Sequence, residues 1–135
     1  MRTGKGFLLL VSLLAAGFLS GQTRPAVEVS VEKKQVLLGE PFLLRIQLQI
    51  PEGAKGQLPL IDSIPHFEFT QPPVIDSSNE KGVKNIKAVY YLSSFDSGHW
   101  VIPSYRISRE VKTDSVGVDV VFAEFDKEQK YDDIN

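Results

Sequence analysis

From Phe42 to Ile50 the chain alternates without a fault. Phe42, Leu44, Ile46, Leu48 and Ile50 fall on one side, and Leu43, Arg45, Gln47 and Gln49 on the other. A run at period two, free of glycine and internal proline, predicts a central strand with one face against a core. Three further runs repeat the pattern. Val27, Val29 and Val31 alternate with Glu28, Ser30 and Glu32. Ile86, Ala88, Tyr90 and Leu92 alternate with Asn85, Lys87, Val89 and Tyr91, and Val116, Val118, Val120 and Phe122 form the last run.

The intervening segments punctuate these strands. Lys33-Lys34-Gln35 is polar, Leu38-Gly39-Glu40-Pro41 predicts a turn, and Pro51 to Gln57 a loop. Leu58 to Val74 carries Pro59, Pro65, Pro72 and Pro73, which rules out a long helix and leaves short or edge strands such as Phe67 to Thr70. Asp76 to Gly82 reads as a polar turn and Arg109 to Ser115 as a hairpin turn.

Leu92 to Ile107 adds a corner. Asp96 is placed to bond its own backbone two residues on, and Gly98 accepts a positive φ at little cost. Trp100 and Ile102 then share one face, Pro103 interrupts the ladder, and Tyr105 and Ile107 resume it. Together these signals predict an all-β chain, an immunoglobulin-like antiparallel β-sandwich of about seven strands over residues 22–125.

The first residues read as a leader. Arg2 and Lys5 precede the apolar stretch Phe7 to Leu19, and Ser20-Gly21 supplies small residues for cleavage before Gln22. Such a stretch is shorter than the roughly 20 residues a membrane-spanning helix needs. Residues 1–21 are therefore expected to be a cleaved signal peptide, which makes the mature chain periplasmic or secreted with no membrane span. Loss of Arg2 and Lys5 takes the formal net charge from −2 to −4. That balance argues against nucleic acid and anionic lipid as partners. Residues 126–135 are rich in charge and lack apolar periodicity, which predicts an acidic, flexible tail. With no cysteine in the sequence, disulfides and thiolate zinc sites are excluded, and stability rests on packing.

Signatures of chemistry are sparse. The chain has two histidines, His66 near Glu68 and His99 near Asp96, and no His-x-x-x-His spacing joins them. No Gly-x-Ser-x-Gly elbow and no phosphate loop occur, so neither a cofactor nor a metal is expected. Contact residues are sought instead in the proline-rich stretch and around the corner: His66, Phe67, Phe69, Tyr91, Asp96 and His99. Two other readings use Tyr91 or Trp100 as a stacking platform for a carbohydrate or small ligand, or His66 with His99 in a metal-dependent enzyme.

Val27 to Ile46, with its Gly39-Glu40-Pro41-Phe42 turn into a long alternating strand, resembles the start of the BatD "oxygen tolerance" family. Tyr91 to Ile107 is similar to that family's Phe-Asp-x-Gly-x-aromatic-x-Ile-Pro stretch in its Bacteroidetes-type members, and Phe125 to Ile134 to the acidic segment that follows the domain. The resemblance implies an exported, non-enzymatic, immunoglobulin-like module of the cell envelope. Its implied partners are envelope proteins, among them von Willebrand A-type membrane proteins, and indirectly a MoxR-type ATPase. It carries no catalytic residues over.

Overall fold

A computed structural model of the chain describes residues 24–123. The expected leader (1–21) and acidic tail (126–135) lie outside the described residues. The Phe42–Ile50 alternation becomes β3 (Phe42–Pro51), with the even-numbered side chains from Phe42 to Ile50 all buried. Both edges of β3 are paired antiparallel: β1 (Ala26–Val31) on one side, with Val29 opposite Ile46, and β5 (Val83–Ser93) on the other, with Ala88 opposite Ile46. The edge strand β4 (Glu68–Glu80) completes a four-stranded sheet in the order β1-β3-β5-β4.

A second sheet has the order β2-β7-β6, from β2 (Gln35–Leu37), β7 (Val116–Val121) and β6 (Gly98–Ile102). β6 and β7 are antiparallel, whereas β2 runs parallel to β7. The described residues are thus all-β, with no helix among them.

One apolar cluster joins the two sheets. It takes Phe42, Leu44 and Ile46 from β3 and Ala88, Tyr90 and Leu92 from β5, and meets them with Val36, Ile102, Val118 and Val120 from the smaller sheet. A second cluster, Leu48, Ile50 and Ile86, lies at the other end of the large sheet and is closed by Ile107 from a loop. Tyr105 and Ile107 therefore reach the core as expected, but from irregular chain after Pro103, not from a resumed strand. Phe122 lies past the end of β7 and is exposed, so the last apolar run stops one step short of the expectation.

Two connections differ from the sequence expectation. The polar Lys33-Lys34-Gln35 segment carries the chain from one sheet to the other. The Glu32 N–H still bonds the Leu43 carbonyl of the large sheet at 2.9 Å, while the Lys34 carbonyl accepts from Asp119 N–H of the small one at 2.8 Å. The following turn is tied by Glu40, whose carboxylate accepts from Leu37 N–H and from Lys33 Nζ, each at 2.9 Å. These bonds, the backbone one foremost, hold the Glu40 carboxyl below its ordinary range.

The second difference is at Asp76–Glu80, expected as a turn and found as strand. The turn is confined to Lys81 and Gly82, both at positive φ (50° and 77°), which is the two-residue type I′ geometry that matches strand twist. Asp76 to Glu80 lie on an edge open to water, so they pair with β5 without needing an apolar face.

Lysine is a poor choice for a left-handed position, where asparagine bonds locally and tolerates the geometry. Lys81→Asn is expected to raise stability by about 0.5 kcal/mol or more in chemical denaturation; an unchanged or lower midpoint would refute the turn assignment. Burial pushes the Tyr90 and Tyr105 phenols above their ordinary value, Tyr90 also through its Tyr105 neighbour. The Tyr105 hydroxyl is buried with no protein partner among the described residues. A raised folded value means stability that is complete below the unfolded value of about 10 and is lost as pH climbs through the folded one. Tyr105→Phe is thus expected to keep or raise stability at neutral pH and to soften the alkaline loss seen in thermal melts.

Candidate functional site

Residues Ile64-Pro65-His66-Phe67 form a tight turn. The Ile64 carbonyl accepts from Phe67 N–H at 3.1 Å, Pro65 takes the second position, and His66 takes the third at φ 71°. Proline second and positive φ third define a type II turn, a position glycine or asparagine occupies at least cost. Ile64 and Phe67 anchor the turn from below: both are buried, and the Phe67 ring meets Phe42 edge to face with centroids 5.7 Å apart. Sequence alone placed Phe67 among the contact residues; in the fold its ring supports the turn.

The strain at His66 coincides with a long-range assembly. Its imidazole lies flat on the indole of Trp100, with centroids 3.5 Å apart and planes 5° apart. Its Nδ1 is 2.8 Å from Asp96 Oδ2. Its carbonyl accepts from the hydroxyl of Ser94, a residue with no exposed surface, at 2.6 Å. The same Ser94 oxygen accepts from Asp96 N–H at 3.2 Å, and Trp100 Nε1–H donates to the Asp96 carbonyl at 2.7 Å.

Ser94 therefore caps the Asp96-Ser97-Gly98 corner, the task expected of the Asp96 side chain, which is turned toward His66 instead. Gly98, at φ 151°, is required by the indole: a Cβ there would sit 2.7 Å from Trp100 Cζ2. The His66–Asp96 pair is substantially open to water, which limits its contribution to about 1 kcal/mol or less. What the assembly supplies is position. An imidazole and a carboxylate are held on the surface by a buried hydroxyl and an aromatic stack, and the exposed Phe95 ring precedes Asp96 in the chain and lies over Gly39.

The other sequence candidates lie elsewhere. His99 pairs with Asp119, not with Asp96, at 2.6 Å across β6 and β7 on the outer face of the small sheet. His66 and His99 thus answer to different carboxylates, and among the described residues no three His, Cys, Asp or Glu side chains gather into a metal-holding group. Phe69 is half-buried and tilts against Tyr90 at 6.3 Å. Tyr91 is half-buried on the outer face of the large sheet, opposite Leu43 and Gln71. Trp100 packs partly into the core and has one ring face taken by His66, so it is not a bare platform.

Sequence reasoning did not foresee the exposure of Phe95 and Leu60, at 68% and 91%. Pro65 marks a turn but is compatible with type I as well as type II geometry, so the positive φ of His66 is visible only in the fold. Among the described residues there is no helix long and apolar enough to cross a membrane.

His66→Asn relieves the turn while removing the stack, so net stability is expected to stay within about 1 kcal/mol of the parent. Trp100 emission should shift to the red and become more accessible to iodide. Gly98→Ala is expected to move the indole in the same direction with a clear loss of stability, and an unaltered Trp100 signal in both variants would contradict the stack. No family model, no curated protein and no solved structure matches the chain.

Proposed function

We propose that the chain is an exported, non-enzymatic, immunoglobulin-like module of the cell envelope that binds other proteins through its Phe95–Asp96–His66 corner. The strand order supports the fold part of this reading. Immunoglobulin domains place strands A, B, E and D in one sheet and C, F and G in the other. The order β1-β3-β5-β4 beside β2-β7-β6 follows that plan, with β6 and β7 as F and G. Irregular chain from Leu58 to Phe67 stands where strand C belongs, and β2 is the continuation of the first strand onto the second sheet.

The observation that carries the binding part is the corner itself. Recognition groups sit most effectively on loops that a rigid scaffold positions. Here a strained backbone at His66 is held in place by Ser94, and an aromatic ring, a carboxylate and an imidazole are offered together. The covered face of Trp100 makes this reading stronger than that of a stacking platform for sugars. The leader-like pattern of residues 1–21 in the sequence supports export. The BatD resemblance points to von Willebrand A-type envelope proteins as direct partners and a MoxR-type ATPase as an indirect one.

The experiment is titration of the purified mature chain against the soluble A-domains encoded in the same genome. Phe95→Ala, Asp96→Ala and His66→Ala are each expected to weaken binding by about tenfold or more while the fold is kept. Full-strength binding by all three would overturn the corner as the contact surface. Mass spectrometry of the cell-derived protein is expected to give Gln22 as the first residue, and an intact leader on a cytoplasmic protein would overturn export.

A further inference from the structure

Among the described residues no strand pairs with the outer edge of β4, and that edge has a self-complementary register. We infer that two copies of the chain pair β4 against β4, antiparallel about a two-fold axis through Ser77, to give one continuous eight-stranded sheet. This goes beyond the corner and uses a different surface.

β4 ends its sheet, and every residue from Thr70 to Glu80 is exposed. The first part of this edge is blunted. Pro72 and Pro73 have no N–H to offer, and the pairing with β5 shifts register between Phe69 and Val74. From Val74 to Glu80 the register is unbroken and neither proline nor lysine occurs.

The Lys81-Gly82 turn sets which backbone groups are free. A two-residue turn makes Glu80 and Val83 the closing hydrogen-bonded pair, so bonded and non-bonded pairs alternate along β4 from that point. Val74, Asp76, Ser78 and Glu80 spend their backbone groups on β5. Ile75, Ser77 and Asn79 direct theirs outward.

Only one antiparallel register between two such edges uses all three. Centred on Ser77, it sets Ser77 opposite Ser77 and Ile75 opposite Asn79 in both directions, for up to about six inter-chain hydrogen bonds. Asp76 then faces Ser78, and Glu80 faces Val74. Moving the axis one residue back sets Asp76 against Asp76; one residue forward, it sets Asp76 against Glu80. Like charges directly opposite are destabilising, so both slips are disfavoured. An axis at Ile75 places Ser77 against Pro73, which lacks the donor, and an axis at Asn79 runs Ser77 into the Lys81 turn.

Lys87 on β5 lies directly opposite Asp76 and offsets part of the acidity of the edge in any register. Side chains add an apolar term. Ile75 is half exposed on the core-side face, beyond the reach of the narrower small sheet, and Val74 is exposed on the other. A second copy continues the sheet over both.

The absence of cysteine from the chain gives a direct test. In the inferred dimer the two Ser77 Cα atoms are about 5.5 Å apart, within reach of a disulfide. Under mild oxidation Ser77→Cys is expected to cross-link to a dimer faster than Asp76→Cys or Ser78→Cys alone, while Asp76→Cys mixed with Ser78→Cys gives the mixed dimer. In sedimentation at micromolar concentrations the full chain should associate to twice its monomer mass. Ser77→Pro, which removes an outward N–H and leaves the bonds to β5 intact, should weaken that association by about tenfold or more, with circular dichroism unchanged.

A chain that stays monomeric, a dimer unaffected by Ser77→Pro, or cross-linking equal at positions 76, 77 and 78 would each overturn the inference. A monomer that takes up a heterologous strand at this edge would do the same. Should Ser77→Pro fail to fold, the cysteine series decides alone.

Discussion

Parity on β3 is the constraint from which the rest of the molecule follows. This strand is paired on both edges, and every even-numbered side chain from Phe42 to Ile50 is buried. A slip of one residue against either neighbour would move five large apolar groups into water and four mostly polar ones into the core, so register is fixed without any turn to enforce it. β5 obeys the same rule, with Ala88 set opposite Ile46 and Tyr90 opposite Leu44. The small sheet has only to supply a complementary surface, and Val36, Ile102, Val118 and Val120 do so.

Where β5 leaves the large sheet, one buried hydroxyl takes over. Ser94 is surrounded by protein, so its oxygen must be satisfied from within, and it is satisfied by two backbone segments far apart in sequence: the His66 carbonyl and the Asp96 N–H. Leaving either partner unpaired costs about 1–3 kcal/mol, which is more than the exposed His66–Asp96 pair supplies. The surface arrangement of His66, Asp96 and Trp100 is therefore a consequence of burial beneath it. The His66–Asp96 hydrogen bond adjusts orientation once the hydroxyl has fixed position.

The legible parts of the chain are those whose signal is local. The strands around Phe42–Ile50, Lys84–Leu92 and Val27–Val31 state their faces in their own alternation, and the pairing follows. β2 does not. It is three residues with one inward side chain, Val36, and it pairs in parallel with residues more than eighty positions away. The second half of β4 was hidden for a different reason. Asp76-Ser77-Ser78-Asn79-Glu80 has the composition of a turn, yet an edge strand wet on both faces needs no apolar period. At the corner, Asp96 has two options: the local bond to its own backbone that sequence suggests, and the bond to His66 thirty residues earlier that the fold provides. The Ser94 hydroxyl, the Trp100 stack and the packing of Phe67 beneath the turn bring the second within reach, and no local pattern encodes that.

Two features of this surface are liabilities. His66 occupies a left-handed position that asparagine or glycine would fill at lower cost, and β4 carries its edge-blunting prolines at 72 and 73 while leaving the stretch beyond them open. The left-handed His66 costs on the order of 1 kcal/mol, set against total stabilities of about 5–15 kcal/mol for domains of this kind, while the open edge keeps its backbone groups bonded to water and is a liability for pairing, not for folding. Their placement separates them. Glu68 pairs with Ser93 at the end of the β4–β5 ladder next to the corner, and Glu80 pairs with Val83 at the end remote from it. β5 spans eleven residues at about 3.4 Å each, which sets the corner and the far end of the free edge about 35 Å apart. Along that ladder Ile75, opposite Ala88, lies about 17 Å from the Ser93 end, and Asn79, opposite Lys84, about 30 Å. The corner and the outward-facing backbone groups of the edge therefore belong to different residues of one β4–β5 ladder.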